Sequence, residues 1–152
     1  MISRMRKRRV NRARRSTSPR AVLFSLLETA EAVESRLEAA VSPLGLSLAK
    51  LGVLHPLAKA STPLSLSELA ERQHCVRSNI TQLVDRLEHD GLVRRRPDPD
   101  DRRGVLAALT PAGEQAYTRG MRALLQVQQD IAQALSAADA ASLKRALDTL
   151  TS

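Results

Sequence analysis

Between Ile80 and Leu109 the spacing of apolar residues changes once, and that change limits what the chain can fold into. Ile80, Leu83, Val84 and Leu87 recur at i, i+3, i+4 and i+7, the pattern of a helix buried along one side. Gly91 follows as the left-handed residue of a helix stop, and Leu92 is placed to pack back on Leu87. Two runs, Leu92–Arg96 and Val105–Leu109, then have the character of strands and flank the stretch RRRPDPDDRRG (Arg94–Gly104). Pro97 and Pro99 cannot extend a strand ladder but suit a turn. The chain therefore needs a fold that joins a one-sided helix directly to a small hairpin.

The rest of the sequence is helical in pattern. Phe24 is the one phenylalanine and Tyr117 the one tyrosine, and Trp is absent. The core of this 152-residue chain, 43% hydrophobic, must be built from Leu, Val, Ile and Ala, which suits helices. A first helix is expected over Ala21–Val41, carrying Leu23, Leu26, Leu27, Ala30, Val33 and Leu37. Ser42-Pro43-Leu44-Gly45 breaks it. A second is expected from about Ser47 to Ala60, with a kink or local opening at Pro56. Ser65 and Glu68 have the spacing of a capping box for a short helix, about Leu66–Gln73. A turn at His74-Cys75-Val76 leads to the one-sided helix, Arg77–Asp90. After the hairpin, Thr110 and Pro111 mark a helix start. That long helix runs to about Leu135, weakened at Gly120. A last helix, with Asp139 as its expected cap, carries Leu143, Leu147 and Leu150. The class is thus mainly α with a small two-stranded β-wing, a winged helix-turn-helix. A helix fits the DNA major groove, and an adjacent hairpin reaches backbone or minor groove.

Charge is unevenly placed. The formal charge is +8, but residues 1–20 hold nine of the 24 basic side chains and no acid. The remaining 15 basic side chains face 16 acidic ones, so the high isoelectric point belongs to a tail. Like charges at this density favour disorder. Three readings stand for the tail: an extension or mis-assigned start, an arm that tracks DNA phosphate, or an organellar targeting segment. It lacks the apolar segment of a secretory signal. No apolar run approaches the ~18 residues that span a bilayer, so no membrane role is expected, and the cytoplasm is the expected compartment. One cysteine excludes an intrachain disulfide, and the three histidines form no metal-ligand pattern with it. No cofactor and no metal are expected. A nucleophile elbow and a phosphate-cradling glycine loop are both missing, which makes an enzyme the least expected class.

The segments LSELAERQ (Leu66–Gln73), ITQLVDRLEHDGLVRR (Ile80–Arg95) and DPDDRRGVLAALTPAG (Asp98–Gly113) resemble the MarR family of dimeric winged helix-turn-helix regulators, in order and in spacing. The resemblance covers about residues 21–151. It implies a tail over 1–20 and a MarR-like domain over 21–152. Within that domain the winged helix-turn-helix takes residues 61–110, and dimerisation helices take 21–45 and 111–152. It further implies that Arg77–Asp90 is the recognition helix. Ser78, Asn79 and Gln82 are the expected base readers, with Thr81 beside them, since Asn and Gln pair bidentately with adenine. Arg77 and Arg86 are expected on phosphate, as are Arg94, Arg95 and Arg96 on or near the first wing strand. At the wing tip, Asp101 corresponds to an acid that orients an arginine entering the minor groove, Arg103, with Arg102 beside it. The partners implied are double-stranded DNA with a palindromic operator, a second copy of the chain, and a small-molecule effector.

The sequence departs from the family in three places. His74-Cys75-Val76 stands where the turn usually has Gly, an apolar residue and a cap. Cys75 takes the apolar core position, as a small buried hydrophobe or, alternatively, as a redox switch. Leu51 replaces a frequent aromatic at the effector site, so an aliphatic pocket is expected there. His55 either lines that pocket or, as the commoner case, is a surface histidine without a partner. The expected function is a sequence-specific, homodimeric repressor released by a small ligand or by oxidation. The alternatives are a non-sequence-specific architectural DNA-binding protein using tail and wing, and a winged-helix scaffold for protein partners.

Overall fold

The helix stop at Gly91 is present in full. The Leu92 N–H donates to the Leu87 carbonyl at 2.8 Å, and the Gly91 N–H to Glu88 at 2.9 Å. Gly91 has φ +71°, which a residue with a Cβ adopts only with strain. The computed structural model describes residues 18–60, 62–73, 77–101 and 104–151. Its elements are α1 (Pro19–Val41), a 3-10 turn (Ser42–Leu44), α2 (Leu48–Lys59), β1 (Leu64–Ser65), α3 (Leu66–Arg72), α4 (Arg77–His89), β2 (Val93–Pro97), β3 (Val105–Leu109), α5 (Pro111–Ala134) and α6 (Ala137–Thr151). The chain divides into two compact units, the first ending at Arg36 and the second starting at Leu37. The sheet, the core and α2 to α6 belong to the second.

Hydroxyl caps set most helix starts. Ser18 Oγ accepts from Ala21 N–H at 3.3 Å, so α1 begins at Pro19 and not at Ala21. Ser47 caps α2 by accepting from Lys50 N–H at 3.1 Å. The capping box is reciprocal: Glu68 N–H donates to Ser65 Oγ at 3.2 Å, and Ser65 N–H to Glu68 Oε2 at 2.7 Å. Those bonds to Ser65, its backbone first, hold the Glu68 carboxyl below its ordinary value. The cap of α6 is Ser136, not Asp139. Ser136 Oγ accepts from Asp139 N–H at 3.2 Å and donates to the Asp139 carboxylate at 2.6 Å. A helix that starts at Ala137 puts Asp139 at its third position, where it supplies the N–H and not the cap.

Two further expectations change. Helix α2 runs unbroken through Pro56, which is buried with Val53, Leu54 and Leu57. Proline removes only one donor from the ladder, and this apolar packing on either side of it holds the turn. The expected two-stranded wing is present as β2–β3, and β1 adds a third, unexpected strand to the sheet, in the order β1-β3-β2. Leu64 and Ser65 pair antiparallel with Ala107 and Leu106. A two-residue strand carries no alternation for a sequence pattern to reveal.

Ile80, Val84 and Leu87 of α4 are completely buried. They meet Leu54 from α2, Leu69 from α3, and Val93 and Ala107 from the sheet in one apolar cluster. Burial of each such side chain contributes roughly 1.5–3 kcal/mol, so this cluster fixes where α4 sits. The start of α5 is seated on the end of α4. Thr110 N–H donates to the Leu92 carbonyl at 3.1 Å, and Thr110 Oγ1 to the Gly91 carbonyl at 2.7 Å. The same hydroxyl accepts from Gly113 N–H at 3.0 Å. A Cβ on Gly113 would lie 2.0 Å from the Leu92 carbonyl oxygen, so only glycine permits this approach. Other apolar positions stay uncovered: Leu23, Phe24 and Leu27 on α1, Leu125 on α5, and Leu143, Leu147 and Leu150 on α6.

Candidate nucleic-acid interface

Burying one side of α4 decides what the opposite side presents. With 3.6 residues per turn, Ser78, Gln82 and His89 fall opposite Ile80, Val84 and Leu87, with Asn79 and Arg86 alongside. All five of these polar side chains are exposed. Thr81 is half-buried and lies on a neighbouring stripe with Asp85 and Glu88. Arg77 opens α4, but its side chain lies outside the described residues. Of the expected reading residues, then, Ser78, Asn79, Gln82 and Arg86 share one solvent-facing surface, and Thr81 turns toward the wing.

Strand alternation gives the three β2 arginines different surroundings. Arg95 lies on the face of β2 that carries buried Val93, paired with buried Ala107. Its guanidinium meets the Asp85 carboxylate at 2.5 Å, and its Nη2 donates to the Thr81 carbonyl at 3.2 Å. Its Nε is enclosed, with Glu88 Oε2 at 3.6 Å, and its backbone N–H donates to Glu88 Oε1 at 3.0 Å. Arg94 and Arg96 point to the other face and make no ion pair among the described residues. Asp85 and Glu88, the acids that hold Arg95, had no distinguishing mark in the sequence beyond their spacing along the helix.

Arg94 and Arg96 line a cleft of about 480 Å³ with Leu57, Pro63, Glu114 and Tyr117. His55 is not without a partner: its Nδ1 lies 2.8 Å from Tyr117 Oη. The pairing joins residues 62 positions apart, which no local pattern could indicate. The cleft's lining is mixed, two arginines, a glutamate and a phenol beside Leu57, Pro63, Ala108 and Leu109, and neither Leu51 nor His55 is part of it.

At the wing tip Asp98 organises the turn. Its carboxylate accepts from Asp100 N–H at 3.0 Å, and its own N–H donates to the Gly104 carbonyl at 3.1 Å. Asp101 is exposed, and its carbonyl accepts from Gly104 N–H at 2.8 Å. Arg102 and Arg103 lie outside the described residues, as do His74, Cys75, Val76 and residues 1–17 of the tail. Lys50 ties α2 to the far end of α4 through Asp90 at 2.7 Å. Among the described residues no group of His, Cys, Asp and Glu side chains could hold a metal ion. No single described helix is long and apolar enough to cross a membrane.

Comparison with known proteins bears on this arrangement. The MarR family model matches residues 46–105. The HTH-type transcriptional repressor YetL of Bacillus subtilis is 33% identical over 94 residues, 61% of this chain and 56% of YetL. The transcriptional activatory protein BadR of Rhodopseudomonas palustris is 31% identical over 98 residues, 63% of this chain and 56% of BadR. The chain spans about half the length of the curated relatives it matches. Among solved structures, Sco3205 of Streptomyces coelicolor, a MarR family transcriptional regulator in complex with DNA, superimposes with a TM-score of 0.75. It is 28% identical, with 87% of this chain and 84% of that one covered.

Proposed function

We propose that this chain is a transcriptional regulator of the MarR family that binds a palindromic DNA operator as a homodimer. The observation that carries the reading is the α4 surface: Ser78, Asn79, Gln82 and Arg86 exposed together on a helix whose reverse side is locked into the core. A helix held this way enters a major groove without further ordering, which limits the entropy lost on binding. Ser78, Asn79 and Gln82 take base edges, Gln82 and Asn79 by bidentate pairing. Arg86 and Arg77 take phosphate. The Asp98-centred turn carries the wing tip, where Asp101 orients Arg103 toward the minor groove and Arg102 meets backbone. Repression follows where the operator overlaps a promoter; resemblance to both a repressor and an activator leaves the sign to operator position.

In this reading Arg94 and Arg96 serve an effector more directly than DNA, because they face the cleft and α4 lies on the opposite side of the sheet. Occupation of that cleft by a small anion would bear on β2 and on the start of α5 together. Selection of bound duplexes from a random pool tests the function, run with and without residues 1–20. A discrete palindrome supports the regulator. Uniform retention of all sequences supports the architectural alternative instead. Gln82→Ala should then relax base preference; equal loss on selected and random DNA would refute the base-reading role.

A further inference from the structure

We infer that Arg95 is a positioning residue for DNA recognition: it sets the angle between the recognition helix and the wing, and it makes no contact with phosphate. The inference rests on the DNA-binding reading and concerns how that surface is assembled.

The acceptors around Arg95 carry the argument. Thr81, Asp85 and Glu88 form one stripe along α4, spaced i, i+4 and i+7, and Arg95 engages all three from β2. Glu88 holds the strand twice, through the Arg95 backbone N–H and from beside its guanidinium. The connection thus fixes both the position and the rotation of β2 relative to α4. To reach a phosphate the guanidinium would have to leave two carboxylates and a carbonyl, and its enclosed Nε would have to move out through the α4–β2 contact. Removing it would also leave Asp85 and Glu88, both exposed, as unpaired anions on the stripe that borders the reading face. Against the charge density of DNA, two such anions repel the duplex whatever its sequence. Arg95 therefore has two effects on one surface: it aligns the helix with the wing, and it cancels the acidic stripe beside the reading face. Three consecutive arginines look equivalent in the sequence, and the structure assigns the middle one a different role because alternation turns it inward.

The test uses the full chain and the duplex obtained by selection, with binding measured by fluorescence anisotropy over a salt series. Random duplex is measured in parallel, and thermal unfolding reports the fold. Arg95→Gln should lower affinity for the selected duplex at least tenfold while changing the slope of log affinity against log salt by much less than the roughly 0.9 of a lost phosphate contact. Asp85→Asn, which makes the protein more positive, should also weaken the selected duplex. The double variant should lose much less than the sum of the two single losses. A slope reduced by about 0.9 for each arginine removed, with affinity raised by Asp85→Asn, would overturn the inference in favour of a phosphate contact. Lowered thermal stability with unchanged affinity and slope in both single variants would overturn it in favour of a purely structural pair. Arg95→Lys, which keeps the charge but loses the fork that serves several acceptors at once, gives a milder check on folding. It should retain the fold and still lose affinity for the selected duplex. If the unaltered chain binds no duplex, the DNA-binding reading fails first, and the positioning role with it.

Discussion

Two sets of apolar helical residues in this chain meet opposite conditions. On α4, Ile80, Val84 and Leu87 are 0% exposed, sealed by α2, α3 and the sheet. On α1 and α6 the same spacing leaves Leu27 at 57% and Leu150 at 66% exposure. The difference teaches that a helical stripe specifies a need for cover without saying where the cover comes from. For α4 the chain supplies it. For α1 and α6 the second copy proposed above would supply it, since these faces exceed what scattered surface leucines require.

That contrast can be broken or sharpened by substitution, and the largest effect is expected inside α4. Leu87→Ala should destabilise the fold by about 2–5 kcal/mol, seen as a lower denaturant midpoint at every protein concentration. Gly113→Ala should cost about 1–3 kcal/mol, because its Cβ has no room beside the Leu92 carbonyl and either α5 or the α4 stop must shift. Ser65→Ala should cost about 1 kcal/mol through loss of the capping box. Its pH dependence has a defined sign. Glu68 titrates below its ordinary 4.5 in the folded chain, so its stabilisation is complete above that value and is lost as pH falls through the folded one. The gap between unaltered chain and variant should therefore be wider at pH 7 than in strong acid. Leu147→Glu, at the exposed end of the comparison, should change the unfolding of the single chain by less than about 0.5 kcal/mol yet shift the assembly toward monomer in sedimentation. A large loss of single-chain stability there would show that α6 is covered from within.

Legibility in the sequence followed the reach of the interactions. The Gly91 stop, the Ser65–Glu68 box and the Thr110 cap could be read because each closes within a few residues. The cap of α6 was misplaced by three positions because Ser136 and Asp139 both suit the role, and only the backbone start decides between them. Strand β1 was invisible because its pairing partner, β3, lies some forty residues on. On the candidate surface, the exposed side of α4 could be read from its buried one. The separate roles of Arg94, Arg95 and Arg96 could not, because they depend on which face of β2 meets α4. Nor could the His55–Tyr117 pair, which forms only once α2 and α5 lie together.

The joint at Thr110 has a mechanical consequence. Its hydroxyl and N–H bind the Gly91 and Leu92 carbonyls just after α4, while Gly113 closes on the Leu92 carbonyl from the next turn. Helix α5 is thus hinged tightly at one end and extends over 24 residues, roughly 36 Å at 1.5 Å per residue. In the proposed dimer it acts as a lever arm. A tilt of a few degrees where two copies meet becomes a displacement of roughly 2–3 Å at the recognition helix over that length. In that dimer two recognition helices would have to match groove positions about 34 Å apart, so tolerance for operator spacing would be set at the far end of α5.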